Sequence, residues 1–107
     1  MSFDADKTYE ALIRAGEAWA DADAAAALLE ETKKSLLALL MNDADASSIA
    51  AKEMQALAHP DYKKHVDGMV SARKAANKAR VRYDSAKVLA ELRRSQEATR
   101  RAEASIR

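Results

Sequence analysis

From Asp4 to Met41 the chain carries one glycine and no proline, and the same is true from Asp61 to Arg107. With two glycines and one proline in 107 residues, it cannot supply the turns that a strand-rich fold needs every few residues. The long uninterrupted stretches are filled mostly by Ala, Leu, Lys, Arg and Glu, the strong helix formers. The expected fold class is therefore all-α.

Breakers and caps divide the chain into three helices within one domain over residues 1–107, near the size where a single core gives modest stability. Asp4 or Asp6 can cap a first helix over about residues 5–41, in which Gly16 is a weak interruption and which Asn42-Asp43-Ala44-Asp45-Ala46 ends. Ser47 or Ser48 caps a short helix over about residues 48–58, closed by His59-Pro60. Pro60 and Asp61 suit the opening of a third helix over about residues 61–104, because proline is preorganised for the first turn and aspartate favours the positive end of the dipole.

Steps of three and four trace a seam on each long helix: Ala11, Ala15, Ala18, Ala22, Ala25, Leu29, Thr32, Leu36 and Leu39 on the first, and Tyr62, Val66, Met69, Ala72, Ala76, Ala79, Tyr83, Ala86 and Ala90 on the third. Both are heptad-like with alanine in the middle, which lets two backbones approach closely, while Tyr83 opposite Trp19 widens the pair. The linker carries its own short helix, so the expected architecture is a long antiparallel helical hairpin with an alanine-rich seam. Leu12, Ile13, Trp19, Leu28, Leu37, Leu40, Val70, Val81 and Val88 fall off these seams. Some are expected under the short helix through Ile49, Met54 and Leu57. Buried alanine contributes little at roughly 25 cal/mol per Å², so a homodimer forming a helical bundle is the expected source of the remaining burial.

Charge is divided along the chain. Residues 1–46 hold four bases against ten acids, a net −6, and residues 47–107 hold fourteen bases against seven acids, a net +7. An antiparallel hairpin lays the acidic helix along the basic one, which sets orientation more than stability, since exposed pairs contribute only ~0.2–1 kcal/mol. From Arg73 to Arg107 there are eleven bases and four acids. Arg93, Arg94, Arg100 and Arg101 mark an end that either protrudes as a basic tip or docks an acidic partner, protein or single-stranded nucleic acid.

No catalytic constellation emerges, and the chain reads as non-enzymatic and free of cofactors and metals. The absence of cysteine removes disulfides, thiolate metal sites and cysteine nucleophiles. His59 and His65, six apart, do not share a helical face and have no further ligand pair, so capping or turn-facing roles are expected. The serines lack a glycine-framed elbow, and Gly16 and Gly68 are isolated, against a phosphate-cradling loop. Tyr9, Trp19, Tyr62 and Tyr83 sit near the seams and read as core more than as stacking platforms. MSFDADKTYEAL opens with acids and lacks a basic segment followed by an apolar run, and no stretch is long and apolar enough to span a bilayer. The expected location is cytoplasmic.

A helical hairpin with one tryptophan invites comparison with the WXG-type secretion proteins, but Trp19 is followed by Ala20 and Asp21 in mid-helix, and no glycine lies in the turn. The stretch ALAHPDYKKHVDGMVSARKAANKARVRYDSAK followed by LRRSQEATRRAE, with the Asp61-Tyr62, Arg94-Ser95 and Ala98-Thr99-Arg100 steps, instead resembles small helical proteins of tailed phages and prophages. These are often encoded among recombination and single-strand DNA-handling genes; members often carry a tryptophan where this chain has Arg93. The resemblance implies an accessory scaffold for recombination or replication proteins, acting in the host cytoplasm. Direct nucleic-acid binding through the basic C-terminal helix and inhibition of a host defence system are the alternatives.

Overall fold

The computed structural model describes residues 4–106; the leader reading and the outermost ends of the chain fall partly outside them. The fold is an all-α helical hairpin of α1 (Ala5–Asp43, 39 residues), α2 (Ile49–Leu57, 9 residues) and α3 (Pro60–Ile106, 47 residues). Asp4 caps α1, its Oδ1 accepting from the Lys7 amide at 3.1 Å. Ser48 caps α2 by accepting from the Ala51 amide at 3.1 Å. At the start of α3 the cap is His59, whose Nδ1 accepts from the Asp61 amide at 3.0 Å while Pro60 takes the first helical position. The capping role read for a histidine is thus filled by His59. The first helix runs past Met41 through Asn42 and Asp43, and the Ala44 amide closes it on the Met41 carbonyl at 3.2 Å.

Contacts group the chain into two units, Ala22–Ala76 and Met1–Asp21 with Asn77–Arg107. In the first, α1 and α3 pack antiparallel through the fully buried Ala26 and Ala76, and α2 contributes the buried Ala56. His65 on α3 reaches across to α1, Nε2 donating to the Leu29 carbonyl at 2.8 Å, a bond that fixes the ring proton on Nε2. In the second unit the two helices meet at Trp19 and Tyr83, with ring centroids 5.8 Å apart and planes inclined by 25°. Gly16 makes room for this stack: a Cβ there would lie 3.1 Å from Tyr83 Cε1.

All nine residues of the expected α3 seam are buried or half-buried. The α1 seam is partly misphased. Ala15, Ala22, Leu29, Thr32 and Leu36 lie on the contact face, but Ala11, Ala18, Ala25 and Leu39 are exposed. Leu12, Trp19, Leu37 and Leu40 lie on that face instead, with Ala26 at its centre. Larger side chains set the phase, because rotating α1 to bury Ala11 and Ala18 would expose Leu12 and Trp19 at greater hydrophobic cost. Ile13, Leu28, Val70, Val81 and Val88 are off the seam and exposed, as the spacing indicates.

The short helix does not form the expected apolar cover. Ile49 and Met54 are outward, Met54 at 72% exposure. Nine residues make two and a half turns, and with Ala56 at the contact Met54 stands roughly 200° around the axis, on the opposite side.

Candidate interaction surface

Two features of α3 stand out, one a fastening between helices and the other an open face. The fastening is Arg73. Its Nε and one terminal nitrogen donate to the two carboxylate oxygens of Glu30 at 2.9 and 2.7 Å, and the other terminal nitrogen donates to Asp23 at 2.7 Å. Asp23 and Glu30 are two turns apart on α1, so one planar guanidinium fixes both the register and the facing of the two helices. Among the described residues, Arg73 makes the cross-helix ion pairs, and the other pairs are local to one segment. The charge division is therefore used at one point rather than along the length of the hairpin.

The hydrogen bonds with Glu30 and then Asp23 hold the Arg73 guanidinium above its usual range. Its hydrogen bond in turn holds the Glu30 carboxyl below the ordinary value of 4.5. A depressed carboxylate pKa stabilises the fold above the ordinary value, and that contribution is lost as pH falls through the lower folded-state value. Thermal melts at pH 7 and pH 3 are expected to differ more for the parent chain than for Glu30→Gln, and equal differences would show that the pair adds nothing.

The open face is the C-terminal part of α3. Beyond Ala90 every described residue is exposed except Glu97, whose side chain is 18% exposed. Arg93, Arg94, Arg100 and Arg101 all lie here at the surface. Arg94 pairs with Glu91 at 3.2 Å, Arg100 with Glu97 at 3.1 Å and Arg101 with Glu97 at 3.8 Å, while Arg93 has no ion pair among the described residues. The segment thus neutralises part of its own charge, through glutamates three or four residues before the arginines. The exposed Arg94–Glu91 pair contributes ~0.3–0.5 kcal/mol.

The same segment carries an apolar face. Val88 and Leu92 are 69% and 53% exposed, and with Asp84, Ser85 and Leu89 they line a shallow groove of about 370 Å³. Exposed valine and leucine clustered in this way mark an interaction face more often than isolated surface residues do. The described residues contain no group of His, Asp or Glu arranged to hold a metal ion, and no helix long and apolar enough to cross a membrane. No protein-family model, curated protein or solved structure matches the chain.

Proposed function

We propose that the protein is a non-enzymatic interaction scaffold, a phage or prophage accessory protein of the host cytoplasm. In this reading it works as a homodimer, and its α3 arginines engage an acidic surface on a partner protein, such as a recombination or replication protein. The observation that carries the reading is the clustering of Arg93, Arg94, Arg100 and Arg101, all exposed, on one helical segment that begins beside the exposed Leu89. Arginine is among the residues enriched in partner interfaces and in their energetic centres. A nucleic-acid groove would need a field of one sign, but Glu91, Glu97 and Glu103 are interleaved with the arginines.

Replacing Arg93, Arg94, Arg100 and Arg101 together by glutamine is expected to change stability by less than about 0.5 kcal/mol, because the four are exposed and away from the caps. Capture of the acidic partner from host cells should be lost. A mobility shift of single-stranded DNA by the parent chain at physiological salt, steeply salt-dependent and flattened in the variant, would replace this reading with nucleic-acid binding. Retention of the captured partner by the variant would remove the arginines from the interface.

A further inference from the structure

Between Val81 and Ile106 the helix bears ten charged residues, yet none falls on Val81, Ser85, Val88, Leu92, Ser95, Thr99, Ala102 or Ile106. These eight positions alternate in steps of four and three, the spacing of a coiled-coil seam. They form a stripe on the side of α3 away from Ala79, Tyr83, Ala86 and Ala90, which face α1. All eight are exposed. The helix therefore has two seams on opposite sides, the first occupied by α1 and the second without a partner among the described residues.

We propose that a second copy of this chain occupies the second seam, with the two α3 segments antiparallel and centred between Arg93 and Arg94. The charges flanking the stripe select this occupant and this register. Antiparallel pairing about that centre sets Leu92 against the second copy's Ser95, Val88 against its Thr99, Ser85 against its Ala102 and Val81 against its Ile106. The three central layers thus set Leu92 beside the smaller Ser95, Val88 beside the similarly sized Thr99 and Ser85 beside Ala102. The flanking positions then bring Arg82 next to the second copy's Glu103, an ion pair that symmetry repeats, while Asp84 and Glu91 face the uncharged Ser105 and Ala98 of the second copy. Sliding by seven residues in one direction places Glu91 on the second copy's Glu91. Sliding in the other direction shortens the overlap and breaks the Arg82 pair. Parallel pairing sets Asp84, Glu91 and Glu103 beside Leu89, Gln96 and Ala98 and makes no ion pair. Opposite charges at these flanking positions are what choose partner and orientation in helical pairs. In this dimer the second copy covers Val88 and Leu92, while Arg93, Arg94, Arg100 and Arg101 of each copy point away from the shared seam, so the inference deepens the scaffold reading by leaving the arginines of both copies open to the acidic partner.

Sedimentation equilibrium of the full chain at micromolar to millimolar concentration should show a species of twice the 11.7 kDa chain mass. The Val88→Glu, Leu92→Glu variant should be monomeric with unchanged helical circular dichroism, because both positions are exposed in the single chain. Arg82→Glu and Glu103→Arg should each weaken the dimer by about tenfold, and the combined variant should recover most of the loss. The chain has no cysteine, so Val88→Cys and Thr99→Cys proteins can be oxidised separately and mixed. Disulfide dimers that form rapidly only in the mixture support the antiparallel register. Rapid cross-linking of either protein alone would overturn it in favour of parallel pairing. A parent chain that stays monomeric at millimolar concentration, or a stripe variant that still dimerises, would overturn the inference outright. The quadruple arginine variant separates the two levels: it should remain dimeric even if its partner is lost, and dimerisation intact with no acidic partner would remove the scaffold reading alone.

Discussion

Ala26→Asp is expected to lower stability by about 3–5 kcal/mol, enough to leave much of the chain unfolded near 37 °C, because an uncompensated buried charge costs about that much. Ala26 is 0% exposed, on the face where α1 meets α3. The guanidinium of Arg73 is already engaged by Asp23 and Glu30 and is poorly placed to neutralise a third carboxylate. The informative control is one residue away. Ala25→Asp has the same composition and the same intrinsic helix penalty, about 0.7 kcal/mol, but Ala25 is exposed. The stability losses of the two variants in urea denaturation should therefore differ several-fold, and equal losses would show that Ala26 does not lie on the buried face.

Trp19→Ala is expected to cost about 3 kcal/mol, the lower part of the range for deleting a large aromatic side chain, because Trp19 is only partly buried. Part of that loss belongs to the stack with Tyr83. A double-mutant cycle with Tyr83→Ala should return a coupling of about 0.5–1.5 kcal/mol beyond area burial. Lys87, whose Nζ lies 4.6 Å from the Tyr83 ring centroid, adds a cation over the same ring. A coupling near zero would mean that the two rings contribute only as separate apolar surfaces.

These two sites also show where the sequence can and cannot be read. On α3 the contact face was legible because Tyr62, Val66, Met69 and Tyr83 are large and their neighbours Lys63, Lys64 and Asp67 are charged, so only one face can be buried. On α1 the run Ala24-Ala25-Ala26-Ala27 presents the same methyl group in four directions and carries no local information about phase. The spacing of three and four places Ala25 inward, whereas the structure buries Ala26, with the phase set by Leu12, Trp19, Leu37 and Leu40 elsewhere on the helix. The Arg73 fork was invisible because it joins residues 43 and 50 apart whose pairing depends on register. The outward turn of Met54 was invisible because a nine-residue helix has too few apolar positions to define a face. The arginines of the candidate surface were legible by composition, but their local pairing with Glu91 and Glu97 required geometry.

The bond from His65 to the Leu29 carbonyl bears on the order in which the chain assembles. It joins residues 36 apart, whereas Trp19 and Tyr83 are about 64 apart, and the entropy of closing the larger loop from an open chain is greater by only about 0.5 kcal/mol. Once the shorter loop is closed, however, each further turn of pairing adds contacts without closing a new loop of comparable length. Assembly is then expected to begin beside the connection and zip toward the open end, with thermal fraying running in the reverse direction. The last turns of α3, exposed on all sides in the single chain, would on this account be the first to open and the last to form.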